Sequence, residues 1–254
     1  PLEDMEFFQF HPTGIRGMGI LITEAVRGEG GILRNRNGDR FMEQYTPTLL
    51  DLAPRDIVAR AILTEMQKGR GMKGDGSLDD YVHLDATHLG KEVLEAKLPE
   101  ISDFCQTYLG IDPAEKPMPV HPTAHYAMGG IPTNEQGRVV ADEEENLFEG
   151  LYAAGECACI SVHGANRLGT NSLVDLIVFG RRTGQHIAHF TKQADFLPIR
   201  KDDTEFARSL IERISQNKKG PMPAKIREKI QNVMMEKVGI YRKESRIKEA
   251  IQTL

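Results

Sequence analysis

Between Gly155 and Leu173 the chain concentrates groups that can do chemistry. Glu156, Cys157, Cys159, Ser161, His163, Asn166, Arg167, Asn171 and Ser172 are set among Gly155, Gly164 and Gly169. An arginine can fork two hydrogen bonds onto a carboxylate. Glycines let backbone approach a flat ring closely. The segment reads strand, glycine-rich turn, helix: Leu151–Ala154 is a short apolar strand, and Asn171 is the expected N-cap of a helix opening Ser172-Leu173. A helix start offers unpaired N–H groups and the positive end of a dipole, and both favour an anion. These residues suit a wall that holds a flat heteroaromatic ring beside a small dianion. The plainer alternative is a buried strand–turn–helix with a surface arginine.

Four other segments carry polar groups in unusual company. His11-Pro12-Thr13-Gly14 offers an imidazole that can donate to a carboxylate or serve structurally. In Thr23-Glu24-Ala25-Val26-Arg27 the acid and the base are close enough to pair, which on a surface contributes little. Arg55 follows Pro54 at a helix start, where the dipole disfavours a cation; such local conflicts mark function, although a solvated arginine would look the same. His121-Pro122-Thr123-Ala124-His125 precedes Gly129-Gly130 and suggests polar groups at a turn facing a cleft.

The elements that must position these groups follow from pattern. Residues 1–13 read as a strand, and Asn37-Gly38 as the turn of a hairpin between 32–35 and 39–42. Pro54 to Lys68 is helical, Tyr81–Asp85 a strand, and 91–98 and 101–108 short helices. From Pro119 to Ala154 the chain is strand-like and glycine-rich. The run 172–179 is too apolar to face water, and 206–254 is charged, amphipathic and helical with a break at Gly220-Pro221-Met222-Pro223.

Bulk properties exclude several classes. The 254 residues carry 32 Lys and Arg against 37 Asp and Glu, a net charge of −5, with no basic stripe for nucleic acid. No apolar run is long enough to span a bilayer. Three cysteines do not make a disulfide framework. Gly69-Arg70-Gly71-Met72-Lys73-Gly74 has dinucleotide-loop spacing but follows a helix and precedes Asp75-Gly76-Ser77, the wrong context. His83, Asp85 and His88 do not share a face, so no metal site is expected. Cys157 and Cys159 read as small buried residues, and Ser161 with His163 lacks an orienting third group.

Gly155-Glu156, Ser161–Gly169 and Asn171-Ser172-Leu173 resemble the flavoprotein subunits of succinate dehydrogenase and fumarate reductase. L-aspartate oxidases resemble them too, but usually carry Met-Ala-Ser where this chain has Leu168-Gly169-Thr170. The resemblance implies an α/β and α+β multidomain fold. It places part of an FAD-binding domain at 1–13 and 120–195, an inserted capping domain at 14–119, and the start of a helical domain at 200–254. It implies FAD as cofactor, bound through Glu156, Asn171, Ser172 and Leu173. His11, Thr23, His125 and Arg167 would hold the carboxylates of succinate or fumarate. Arg55 would transfer the proton, with Glu24 and Arg27 linking it to solvent. An iron–sulfur subunit would be the partner, with membrane-anchor subunits reached indirectly from a cytoplasmic, peripheral position on the inner membrane. Pro1 is no initiator and 243–251 reads as an unfinished helix, so a longer parent is expected; the piece alone would then be catalytically silent and hold FAD poorly.

Overall fold

A computed structural model describes residues 1–74, 80–196, 198, 202, 204–217 and 219–254. The Asp75-Gly76-Ser77 stretch lies outside the described residues. The central element is a four-stranded sheet in the order β1, β4, β3, β2. Its strands are β1 (Phe8–Ile15), β2 (Ile32–Arg34), β3 (Val82–Asp85) and β4 (Met118–Ala127), and every neighbouring pair is antiparallel. Helix α3 (Arg55–Gln67) packs against β1 and β4. Pro54 supplies its N-cap, as its fixed φ and missing N–H favour. Ile15, Ile22, Val26, Leu33, Phe41, Met42, Val58, Ile62, Val82, Leu84, Leu94, Met118 and Val120 form one buried core beneath these elements.

Strand β1 is inverted in polarity. Gln9, His11 and Thr13 are buried, while Phe8 is 39% exposed and Phe10 is half-buried. Two bulges shape its pairing with β4. Gln9 pairs with Tyr126 but Phe10 pairs with Ala124, so His125 is the extra residue of β4; His11 pairs with Thr123 but Gly14 with His121, so Pro12-Thr13 is the extra step of β1. A bulge re-aims a side chain, and proline tolerates such positions because it has no ladder N–H to lose. At Gly14 any Cβ would sit 2.0 Å from Thr123 Oγ1, so only glycine lets the strands approach there.

The helices α1 (Ala25–Gly28), α2 (Met42–Tyr45), α4 (Lys91–Lys97) and α5 (Pro99–Leu109) complete the part around that core. The hairpin expected at Asn37-Gly38 reduces to one bridge between Arg34 and Arg40. Phe41 and Met42 are fully buried and enter α2, and β2 takes β3 as its ladder partner instead. Beyond β4 come β5 (Ile131–Pro132), β6 (Arg138–Val140), β7 (Leu147–Tyr152) and β8 (Ala158–Cys159), which pair as β5 with β8 and β6 with β7.

Helix α6 (Asn171–Phe190) then begins one residue earlier than expected. Its N-cap is Thr170, in the left-handed region at φ 63°, and no side chain caps the first turn. The apolar run expected to be buried instead exposes Leu173, Val174 and Ile177, at 60%, 54% and 71%. The buried positions are polar: Asp175 meets His163, and Thr183 lies against Gly137. Helices α7 (Glu205–Gln216), α8 (Pro223–Lys237) and α9 (Glu244–Thr253) follow, with a second break between α8 and α9 that the sequence pattern had not marked. Helices α8 and α9 face the other side of β1, enclosing with Phe8, Phe10, Pro122 and Met235 an apolar cavity of about 780 Å3.

Candidate active site

The inward face of β1, the bulge of β4, the start of α3 and the loop before α6 meet at Gln9. Its Nε2 donates to Asn166 Oδ1 at 2.8 Å and to the Arg167 carbonyl at 2.7 Å. Its Oε1 accepts from Arg55 Nη1 and Arg167 Nη2, each at 3.2 Å. Two guanidinium groups therefore converge on one neutral oxygen. Arg55 also donates from Nε to Glu24 Oε2 at 2.9 Å, and its side chain is 14% exposed. Arg167 is 5% exposed, donates to Leu168 O, lies over the Tyr126 ring with Cζ 4.4 Å from its centroid, and leaves Nε buried without a protein partner. Gly169 brings the loop against the ion pair: a Cβ there would lie 3.9 Å from both Arg55 Nη2 and Glu24 Oε2.

The two histidines are packed edge to face, with centroids 5.4 Å apart. Thr13 N–H donates to His11 Nδ1 at 3.3 Å, which puts the His11 ring proton on Nε2. Arg167 Nη2 lies 3.1 Å from His125 Nε2, which must accept, so the His125 proton is on Nδ1. Burial, followed by the charge of Arg55, lowers His11 to about 3. The same two causes lower His125, with Arg167 adding to them. Each ring is thus neutral with one N–H to offer. Arg167 is lowered by burial and then by Arg55, and Arg27 by burial above all. The common pattern is an excess of positive potential in a partly dehydrated pocket.

The other expected residues take different places. Arg27 is not half of a surface pair: it is 1% exposed, its Nη1 donates to the Asp51 carbonyl, and Glu24 Oε2 lies 3.7 Å from its Nη2. Asp51 is buried and accepts from Leu33 N at 2.8 Å and from Arg40 Nε at 2.7 Å. The solvent-facing member of the Arg55–Glu24–Arg27 group is Glu24, whose side chain is 41% exposed. Thr23 is exposed and accepts from Ala25 N at 3.3 Å, at the turn into α1, with no hydrogen bond to the cluster. Glu156 accepts from Ala127 N at 3.1 Å, pinning the end of β4 beside His125. Asn171, Ser172 and Leu173 form the uncapped first turn of α6. Gln9 was not singled out from the sequence, and Asn166 was named only as part of the 155–173 run, without a role. The signal for Gln9 was the phase of β1, in which Phe8 and Phe10 alternate with polar Gln9 and His11.

The signals set aside stay apart from the cluster. Gly69 to Gly74 follows α3, and no metal-binding cluster of His, Cys, Asp or Glu occurs among the described residues. Cys159 is buried but Cys157 is exposed. Ser161 Oγ donates to Asp4 at 3.3 Å rather than to His163.

Residues 1–173 match the FAD binding domain family. The chain belongs to that family. FAD is accordingly its cofactor. The residues around the start of α6 fit one: no side chain caps its first turn, where the Asn171 and Leu173 amides bond Leu168 O and Thr170 O, the positive end of the helix dipole suits the electron-rich edge of a ring system, and exposed Leu173 with Val162 and Leu168 supplies apolar surface. The chain is 46% identical to the succinate dehydrogenase flavoprotein subunit of Coxiella burnetii over 100% of its own length and 43% of that protein. It is 41% identical to the fumarate reductase flavoprotein subunit of Proteus vulgaris, again over 100% of its length and 43% of the other. Its fold superposes on E. coli quinol fumarate reductase FrdA with a TM-score of 0.85 at 38% identity, covering 100% of this chain and 44% of that one. For the Mycobacterium smegmatis Sdh1 complex the TM-score is 0.71 at 37% identity, covering 99% and 40%. The chain therefore spans less than half the length of the relatives it matches. The resemblance drawn from residues 155–173 holds, as does the mixed α/β and α+β fold it implied.

Proposed function

We propose that this chain forms the substrate side of a flavoprotein that interconverts succinate and fumarate. The observation that carries this reading is the convergence of Arg55 and Arg167 on Gln9 Oε1 beside two neutral histidines. Arg55 pairs with Glu24, and Glu156 and Glu24 are the carboxylates that act on Arg167, yet Arg167 remains lowered by burial and by Arg55. A small dicarboxylate dianion supplies the missing negative charge, and two guanidiniums with two imidazole N–H groups match its four oxygens. FAD, when bound, would supply the two-electron hydride chemistry, with Glu156 and the first turn of α6 (Asn171, Ser172 and Leu173) as the residues that would hold it.

The chain's own residues do the rest. Arg167 and His125 Nδ1 hold one carboxylate, and His11 Nε2 holds the other, with Thr23 at the rim. Pulling electron density into a carboxylate stabilises charge that develops on the neighbouring carbon. Arg55 moves the proton on that carbon. A guanidinium is protonated at neutral pH and acts as the acid in fumarate reduction; the reverse direction returns the proton to it. Glu24, in contact with Arg55 and with solvent, replaces that proton, and buried Arg27 fixes Glu24 from within. We divide the chain into flavin-binding parts at 1–13 and 120–195, an inserted cap at 14–119 and a helical part from 200; the buried core among the described residues, which runs from Ile15 to Val120, supports this division. By the same reading electrons leave to an iron–sulfur subunit and a quinone, and the protein sits on the cytoplasmic face of the inner membrane through its partners. No helix among the described residues is long and apolar enough to cross a membrane.

The test uses the full-length FAD-loaded protein with Arg55→Ala. Succinate oxidation and fumarate reduction should both fall by roughly 100- to 10,000-fold, the usual contribution of a positioned acid or base. Near wild-type rates in both directions would remove Arg55 from the proton step.

A further inference from the structure

Behind Arg167 lies a second group of polar side chains that the proposed reaction does not use. His163 and Asp175 are each 7% exposed, and His163 Nε2 is 3.2 Å from Asp175 Oδ2. A carboxylate requires a donor, so Nε2 carries a proton, and buried Nδ1 has no protein partner. The His163 ring meets the edge of Tyr126 at a centroid distance of 5.7 Å. Tyr126 is 5% exposed; burial, and then the Asp175 charge, push its phenol up to about 12. The Arg167 guanidinium lies over that same ring, with Cζ 4.4 Å from the centroid. The four groups come from three elements: β4, the loop before α6, and α6 itself.

We infer that His163 and Asp175 are positioning residues that hold the Tyr126 ring as the platform on which Arg167 is presented to a carboxylate. This rests on the reading of Arg167 as a substrate-binding group. Arg167 has directional contacts to Gln9, His125 and Leu168 in the plane of its guanidinium, and the plane itself is set by the ring beneath it. His163 packs against that ring, and Asp175 anchors His163. They also tie the loop carrying Arg167 to the helix whose first turn faces the cofactor.

Two effects of losing Asp175 have opposite signs, which makes the inference testable. Removing a negative charge near Arg167 strengthens the field on a dianion and tightens binding. Removing the support for Tyr126 loosens the guanidinium and weakens binding. Losing His163 removes the support for the ring while the Asp175 carboxylate stays in place.

The experiment measures malonate affinity of the full-length FAD-loaded protein by the perturbation of flavin absorbance, together with KM and kcat for succinate. His163→Phe should weaken malonate and raise KM by about 3- to 30-fold, the range set by a guanidinium–ring contact, with kcat changed less. His163→Gln, which keeps a donor where Nε2 stands, should return affinity to near the wild-type value. Asp175→Asn should weaken malonate despite the lost negative charge, and provides the same reading if His163→Phe does not fold. In an Arg167→Gln background both changes should be silent on malonate. The inference is overturned if His163→Phe and Asp175→Asn bind malonate as wild type does, if His163→Gln is as impaired as His163→Phe, or if the losses persist in full without Arg167. If Arg167→Gln itself binds malonate normally, the assignment of Arg167 to the substrate is what fails.

Discussion

Replacing Gln9 with leucine removes the one oxygen that both guanidiniums share, while keeping an aliphatic side chain of similar length on β1. Arg55 Nη1 and Arg167 Nη2 each lie 3.2 Å from that oxygen, so they are at most twice that distance apart. Two unit charges at roughly 6 Å repel by about 3 kcal/mol at an effective dielectric constant of about 20. In the native protein the amide oxygen lies between them, and each hydrogen bond to a charged donor is worth about 1.5–3 kcal/mol. Without it the guanidiniums separate, and a dicarboxylate must first draw them back. If one such bond is expressed as lost orientation, affinity falls by roughly 10- to 100-fold. The assay is malonate binding to the full-length FAD-loaded protein, followed through the flavin spectrum, with succinate KM measured alongside. Gln9→Met, still apolar but more flexible, should show the same loss and guards against a packing defect peculiar to leucine. A malonate Kd within twofold of wild type in both variants, at normal FAD content, would refute the reasoning: the cations would then be held by their other contacts alone.

Three further outcomes are expected. His11 takes up its proton only near pH 3 when folded but near its ordinary value of 6.5 when unfolded, so the unfolded chain binds more protons as pH drops through 6.5; folding stability should decline towards low pH by up to about 1.4 kcal/mol per pH unit on this account. His11→Asn should flatten that slope between pH 6.5 and 3 in urea titrations, and an unchanged slope would show that His11 titrates normally. Arg40→Ala leaves the Asp51 carboxylate, 2% exposed, with the Leu33 N–H as hydrogen-bond donor and the Arg27 charge nearby, and should lower stability by about 1–3 kcal/mol, read from the urea midpoint. Gly137→Ala puts a Cβ 1.9 Å from Thr183 Oγ1 at a φ of +73°, so it should destabilise by about 1–3 kcal/mol; adding Thr183→Ala should recover the steric share and leave the backbone share.

The parts legible in the sequence were those whose signals are local. Pro54 announced α3 and Gly110 ends α5, in the left-handed conformation that glycine allows. The periodic segments at 91–98 and 101–108 became helices, and His11, Arg55, His125 and Arg167 were named before their proximity was known. What escaped was set by distant partners. Asn37-Gly38 is a good hairpin turn, yet its second arm holds Phe41 and Met42, which the core buries completely, so packing overrode the turn. The apolar start of α6 read as buried because pattern alone does not tell which face meets the rest of the chain. Gln9 escaped for a different reason. Glutamine carries no charge and no catalytic reputation, and its importance lies in two arginines 46 and 158 positions away. Arg27 was read as close enough to pair with Glu24, but whether the pair lies at the surface stayed open, because an i, i+3 spacing carries no information about depth.

The two bulges between β1 and β4 are opposite in sign. One adds a residue to β4 at His125, the other adds one to β1 at Pro12-Thr13, and beyond both the strands resume the pairing offset they began with. They behave as an insertion and its suppressor. Shortening either strand alone would carry the rest of the ladder out of phase, turning the phenylalanine face of β1 towards the cations and the polar face towards the apolar cavity. Shortening both together would restore the phase and lose only the residues between. The chemistry of this site is thus bound to a reading frame in the sheet, and length changes in β1 and β4 are tolerable only as a pair.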